Sequence, residues 1–336
     1  MNRRTLLVGT GTTIAASLAG CTADGDSNAD ENKPENGEED SDEKNQPSEE
    51  VREEIDDSLD EAYSHLAAAN EEFETQADIS FETDPKDQLS TSGIKTALEN
   101  SESELDDIDE ENASDEQIER LENGKLALSI FNNLLSAVTE LNDAFGAWST
   151  ADSYYDNDRY SDGAEQLESA TEHFRDAEST TNNARDSWDE LNSEYFEESD
   201  VELATKKDDL EHLEKTCDAF ARFSEAIVDL YLGMDDFSEG SEYVDQERFI
   251  AAKNAFKDAS DSFRQTNQQF RDAETAVPQE YRSEFIDSTC MTDALIEASD
   301  LMATGSEAAA AGNYNRASTY YEEANTALDT SCGDTV

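Results

Sequence analysis

Between Pro85 and Pro278 the chain contains no proline and few glycines, while Leu, Phe, Ala and Glu return at spacings of three and four. A strand needs alternation with a period of two. A long proline-free interval with a three-four period is therefore committed to amphipathic helix. Helices are expected near 51–76, 86–108, 114–156, 159–192, 200–243, 246–275, 285–311 and 313–330. The third would run about 60 Å at a rise of about 1.5 Å per residue. Asp156-Asn157-Asp158, Val244-Asp245-Gln246 and Ala311-Gly312-Asn313 read as tight turns, because Asp, Asn and Gly favour helix ends and caps. The fold class is all-α, built of antiparallel helical hairpins.

Internal repetition decides how those helices are arranged. Counted from the aromatic residue after each turn, offsets 0, 3, 7, 10 and 14 give Tyr160, Gly163, Leu167, Ala170 and Phe174; then Phe249, Ala252, Phe256, Ala259 and Phe263; then Tyr314, Ala317, Tyr321, Ala324 and Leu328. The helices before the turns correspond as well. A shift of 89 residues sets Phe131 on Phe220, Leu141 on Leu230, Trp148 on Phe237 and Tyr154 on Tyr243, and a further shift of 65 sets Gly240 on Gly305. The pattern implies a duplicated α-hairpin.

Gly312, Tyr314, Ala317, Tyr321 and Ala324 resemble the second helix of the tetratricopeptide repeat. Gly240 and Gly305 match the small residue of its first helix, where two helices approach closely. The copies lie 89 and 65 residues apart rather than at that family's short period, and the Trp-x-x-Leu-Gly opening is missing. The same offsets also describe a heptad seam, which Leu59, Ala62, Leu66, Ala69 and Phe73 satisfy. A tetratricopeptide-like row and a coiled-coil-like bundle both remain open at this level.

Charge narrows the function classes. The chain has 84 Asp+Glu against 23 Lys+Arg, a formal net charge of −61. Such a surface repels a phosphate backbone, so nucleic-acid binding is excluded. The acidity extends over the predicted helices, and fewer than half of the basic residues are lysine. In dilute buffer the surface would repel itself. At molar salt the Debye length shrinks to about 3 Å and that repulsion is screened. This is the expected surface of a protein from an extreme halophile. The 14 Phe, 11 Tyr and 2 Trp, set at regular spacings, argue against an acidic disordered chain.

The amino terminus carries an address. Arg3-Arg4, a weakly apolar stretch and Leu18-Ala19-Gly20-Cys21 follow in the order of an export signal. The Arg pair resembles the twin-arginine motif and Leu-Ala-Gly-Cys resembles a lipobox, together similar to twin-arginine-exported lipoproteins of the haloarchaeal type. That resemblance implies a signal peptide over 1–20, lipidation of Cys21, membrane attachment through that lipid, and a position on the extracellular face of the cell membrane. An acidic, polar run with Pro34 and Pro47 follows. It is expected to be a disordered tether completing a 21–50 segment, with a reach of up to about 95 Å. Asp24, Asp26, Asn28, Asp30 and Glu35 fall on calcium-loop offsets, but Ala29 replaces the turn glycine and no helices flank the loop. N-terminal helices over 51–112 and a duplicated hairpin domain over 113–334 complete the organisation.

No catalytic constellation emerges. His65, His173 and His212 lie on separate predicted helices; Asp209-x-x-His212 comes nearest to a di-iron motif and lacks a second copy. No zinc-type Cys/His spacing, phosphate loop or nucleophile elbow occurs. No metal, no cofactor and no catalytic residue is therefore expected. Folding the last hairpin about residue 312 brings Cys290 within reach of Cys332, leaving a disulfide or two buried thiols as alternatives. Cys217, beside Phe220, reads as core. Asn112-Ala113-Ser114 is the single Asn-x-Ser/Thr sequon, a candidate glycosylation site in a predicted loop. The stripe of Tyr154, Tyr155, Tyr160, Tyr243, Phe249 and Tyr314 coincides with the packing code, so core is favoured over a ligand groove. The expected function is a non-enzymatic, lipid-anchored surface protein whose hairpins bind an envelope protein partner. The alternative is a solute-binding lipoprotein serving a transporter, a class usually built from two α/β lobes around a cleft.

Overall fold

The three-four pattern condenses into eight α-helices: α1 (Glu49–Glu74), α2 (Ser92–Asp106), α3 (Asp115–Tyr155), α4 (Tyr160–Trp188), α5 (Leu203–Asp245), α6 (Phe249–Glu274), α7 (Arg282–Ala310) and α8 (Tyr314–Leu328). Short 3-10 turns at Ser193–Phe196 and Gln279–Tyr281 come before α5 and α7. The structure is a computed structural model and describes residues 48–74, 90–196, 203–329 and 332. The export signal, Cys21, the calcium-like offsets and the tether up to residue 47 lie outside them.

Local chemistry explains where the helices start and stop. Ser114 opens α3 with a capping box: its hydroxyl accepts from the Gln117 backbone N–H while the Gln117 side chain accepts from the Ser114 N–H. Gln117 also donates to the carbonyl of Arg52 and to Asp56, which ties the start of α3 to α1. The fourth helix, expected to reach residue 192, ends at Trp188. Asn123 of α3 draws the chain away there, accepting from the Asn192 N–H at 2.7 Å and donating to the Asn192 carbonyl. The seventh begins at Arg282 rather than 285, after Pro278 seats the preceding 3-10 turn.

Three turns share one backbone shape. Asp158, Glu247 and Gly312 each adopt the left-handed conformation, with φ of 56°, 58° and 79°. The next amide in each turn donates to a carbonyl five residues back: Arg159 to Tyr154, Arg248 to Tyr243 and Asn313 to Ala308. The left-handed residues themselves donate to Tyr155, Val244 and Ala309. These are Schellman-type helix ends. In the first two copies the arginine also lies over the preceding tyrosine ring, Arg159 on Tyr154 at 4.3 Å and Arg248 on Tyr243 at 4.2 Å. The 89-residue shift thus pairs two turns with the same backbone shape and the same arginine–tyrosine stacking.

Each helix packs chiefly on its neighbours in the chain, α3 on α4, α4 on α5, α5 on α6, α6 on α7 and α7 on α8, with α1 and α2 paired and set against the start of α3. The result is an open row of antiparallel helices; α8 packs on α7 and does not return to α3 to close a bundle. Two large cores lie along the row. One joins Leu59, Leu66, Ile94, Leu98, Leu121, Phe131, Trp188 and Phe196. It therefore runs across the 112/113 boundary, and the N-terminal helices share a core with the hairpin domain. The other is a chain of rings, in which Phe145 meets Phe174 and Phe220 at 5.4 and 5.3 Å, Trp148 stacks on Phe223 at 5.8 Å, and Phe223 meets Phe270 and Phe285 at 5.3 and 5.2 Å. Edge and offset contacts of this kind add roughly 0.5–1.5 kcal/mol per pair beyond the area they bury.

Candidate interaction face and histidine–carboxylate cluster

The repeated packing code is mostly interior. Tyr160, Ala170 and Phe174 of the first hairpin are buried, as are Ala259 and Phe263 of the second and Ala317 and Ala324 of the third. Glycines mark where rings enter. A Cβ on Gly240 would stand 2.8 Å from the Phe256 ring, one on Gly233 2.6 Å from Phe263, and one on Gly305 2.6 Å from Tyr321. In the second and third hairpins an aromatic of the second helix therefore fills a notch in the first, whereas in the first copy Gly163 of α4 instead faces Tyr231 of α5 at 2.8 Å. The rings on Gly240 and Gly305 make the close approach expected at those two residues.

The first position of the code departs from expectation in the later copies. Tyr160 is 8% exposed, covered by Tyr155 at 5.3 Å, and Tyr155 in turn packs on Tyr231 of α5 at 5.0 Å. Phe249 is half-buried, and Tyr314, expected as a packing residue, is 64% exposed. No helix follows α8 among the described residues, so nothing covers Tyr314 as α5 covers the first copy. Its ring instead meets Phe249 edge to face at 6.2 Å. Ile250, the next residue, is 63% exposed. The aromatic stripe thus divides, with the first copy in the core and Phe249, Ile250 and Tyr314 forming an apolar patch at the turn end of α6 and α8.

Cys290 and Cys332 are joined by a disulfide with Cα atoms 5.8 Å apart, closing the α7–α8 hairpin opposite its turn. Cys217 is fully buried, and burial pushes its thiol well above the ordinary range, so it is core and not a nucleophile. Asn112 lies in the loop between α2 and α3. Its Nδ2, the atom a glycan would occupy, donates to Asp109 at 2.7 Å, and the Ser114 hydroxyl serves as the α3 cap.

Sequence reasoning missed one assembly. His173 was expected to stand apart from metal-type donors, but its Nδ1 lies 2.7 Å from Glu140 Oε2, with Asp143 beside them. The available signal was the hairpin itself: folding about residue 158 sets position 143 opposite 173, just as folding about 312 brings Cys290 towards Cys332. Elsewhere carboxylates crowd one another. Asp152 is pushed up to about 6, first by burial and then by Asp156. Asp236 is pushed up to about 6 by burial and by Asp258, Asp235 and Glu239.

Among the described residues no helix is long and apolar enough to cross a membrane. Comparison with protein-family models, curated proteins and solved structures finds no match to the chain. The class the fold defines is an all-helical protein of consecutively packed hairpins, and any functional reading must come from its own residues.

Proposed function

We propose that this is an exported, lipid-anchored cell-surface module of an extreme halophile, whose row of hairpins binds another envelope protein and performs no catalysis. The observation that carries the binding reading is the patch of Phe249, Ile250 and Tyr314. Ring and aliphatic surface of this kind, on a chain otherwise covered in carboxylates, suits a protein contact that buries it. An open row of hairpins also offers more continuous surface than a closed bundle of the same length. The address rests on Arg3, Arg4 and Cys21, and the chain between Cys21 and the start of α1 at Glu49, two residues short of the 21–50 bound, supplies the reach. The alternative solute-capture reading calls for two α/β lobes, and the described residues contain helices and no strand.

Cross-linking of intact cells at high salt, followed by pull-down, tests the proposal. One reproducible partner is expected with the native chain. An Ile250→Ser, Tyr314→Ser variant should lose it at unchanged helicity, because both side chains are already exposed. Cys21→Ser should move the chain out of the membrane fraction. Equal recovery of the partner with the double variant would place the contact elsewhere; no reproducible partner at all would remove the binding reading.

A further inference from the structure

Where α3 faces α4, one imidazole and two carboxylates converge. Glu140 and Asp143 stand one turn apart on the same side of α3, and His173 projects from α4. Each offers a donor atom, and the three atoms lie within 4.8 Å of one another. Glu140 and His173 are half-buried and Asp143 is exposed, so the cluster opens to solvent on one side. Its backbone is stiff. Leu141 and Ala144 next to the α3 donors, and Ala170, Phe174 and Ala177 around His173, are fully buried in the ring-lined core. Donors carried on packed helices are held nearer to a fixed geometry than donors on loops.

The donor set selects a class of cation. Mg²⁺ and Ca²⁺ are usually held by oxygen alone, whereas one imidazole nitrogen with two carboxylate oxygens suits Zn²⁺ and its first-row neighbours. Three protein ligands fill fewer than the four positions such an ion requires, which leaves at least one for water or for a group from outside. The chain's charge of −61 raises the local concentration of any divalent cation. We infer that Glu140, Asp143 and His173 form a transition-metal site of the zinc type, which pins α3 to α4 and keeps a coordination position open at the surface. A bare His173–Glu140 hydrogen bond would account for the 2.7 Å contact, and metal titration separates the two readings.

The full-length protein in molar potassium chloride, which screens diffuse attraction to carboxylates, is titrated with Co²⁺ and with Zn²⁺. One equivalent of Co²⁺ should produce a saturable visible absorption that Zn²⁺ displaces, and the ring-proton resonances of His173 should move with it. Loss of even an outer-sphere partner weakens metal sites by about 10–100-fold, so His173→Ala should weaken binding at least that much. Asp143→Asn should weaken it too, and His65→Ala should leave it unchanged. The melting temperature should rise with Zn²⁺ in the native chain and not in His173→Ala, whose side chain is exposed enough for the helices to form without it. Equal affinity in the native chain and His173→Ala, or uptake that never saturates at molar salt, would overturn the inference.

Discussion

Single residues in this protein work against a strongly acidic background, and Asp152 shows the cost. It lies on α3 where α5 covers it, with the Tyr231 hydroxyl 3.5 Å away. Burial first, and Asp156 second, push its carboxyl up to about 6, against about 3.9 for an unfolded aspartate. Between those values the folded state holds more protons than the unfolded one, so this group's contribution to stability falls as pH rises from about 4 to 6 and stays low above that. A shift of two pKa units corresponds to roughly 2–3 kcal/mol. Asp152→Asn should therefore stabilise the fold at pH 7.5 by up to about that amount and by little near pH 4. Denaturant unfolding of both chains at the two pH values, in high salt, measures this; an equal difference at both would show that the carboxylate's charge is not the cause. Two other residues also sit in costly conformations. Asp158 and Glu247 adopt the left-handed backbone that Gly312 adopts freely, and the Schellman hydrogen bonds and arginine–tyrosine stacking hold them there.

In the α5–α6 and α7–α8 hairpins the joint between the two helices is a ring in a glycine notch, and the cost of filling that notch depends on whether the ring can yield. Phe256 is fully buried, so a Cβ added at Gly240, 2.8 Å from the ring, has nowhere to push it. Overpacking of this kind costs about 1–3 kcal/mol, and the helix propensity gained on going from Gly to Ala returns about 1. Tyr321 faces Gly305 at a similar distance but is half-buried, and its hydroxyl rests on Ser306 at 3.2 Å. It can swing outward. Gly240→Ala should therefore destabilise the fold by about 1 kcal/mol, and Gly305→Ala, whose Cβ also stands 3.3 Å from the Ala317 carbonyl, should cost less. Equilibrium unfolding checks the order, and equal effects would mean that ring mobility does not govern the joint. Of the three repeated second helices the last is the shortest, with α8 15 residues long against 29 for α4 and 26 for α6, and the Cys290–Cys332 disulfide holds its far end.

For the molecule as a whole, pairing cannot balance charge, because 84 acidic residues face 23 basic ones. The ion pairs are mostly exposed, such as Arg175–Glu225 at 2.6 Å and Arg264–Asp300 at 2.6 Å, and such pairs contribute little individually. Even Arg185, set between Glu214 and Asp186, leaves many like charges around it. Raising salt from about 0.1 M to molar shortens the screening length from about 10 Å to about 3 Å. The melting temperature should climb with potassium chloride over that range by on the order of 10 °C, corresponding to several kcal/mol for a chain of this size. Circular dichroism melts measure it, and a salt-insensitive transition would contradict the halophilic reading.

Helix positions, the three turns and the close approaches at Gly240 and Gly305 were legible because they are local or periodic. A three-four spacing, an Asp-Asn-Asp stop and a conserved offset between Gly240 and Gly305 act through the backbone of the segment that bears them. The sequence by itself thus determined an all-helical chain of antiparallel hairpins. What only the tertiary structure decided depends on which element lies beside which. The row stays open because each helix finds its partner in its immediate neighbour. Tyr160 is buried and Tyr314 bare because α5 follows one hairpin and no described helix follows the other. Helix α4 stops at Trp188 because Asn123, far away in sequence, captures the Asn192 backbone. His173 meets Glu140 and Asp143 because a turn at Asp158 folds two long helices into register. Periodicity states which face of a helix is apolar; only packing states what that face, and the polar face beside it, will meet.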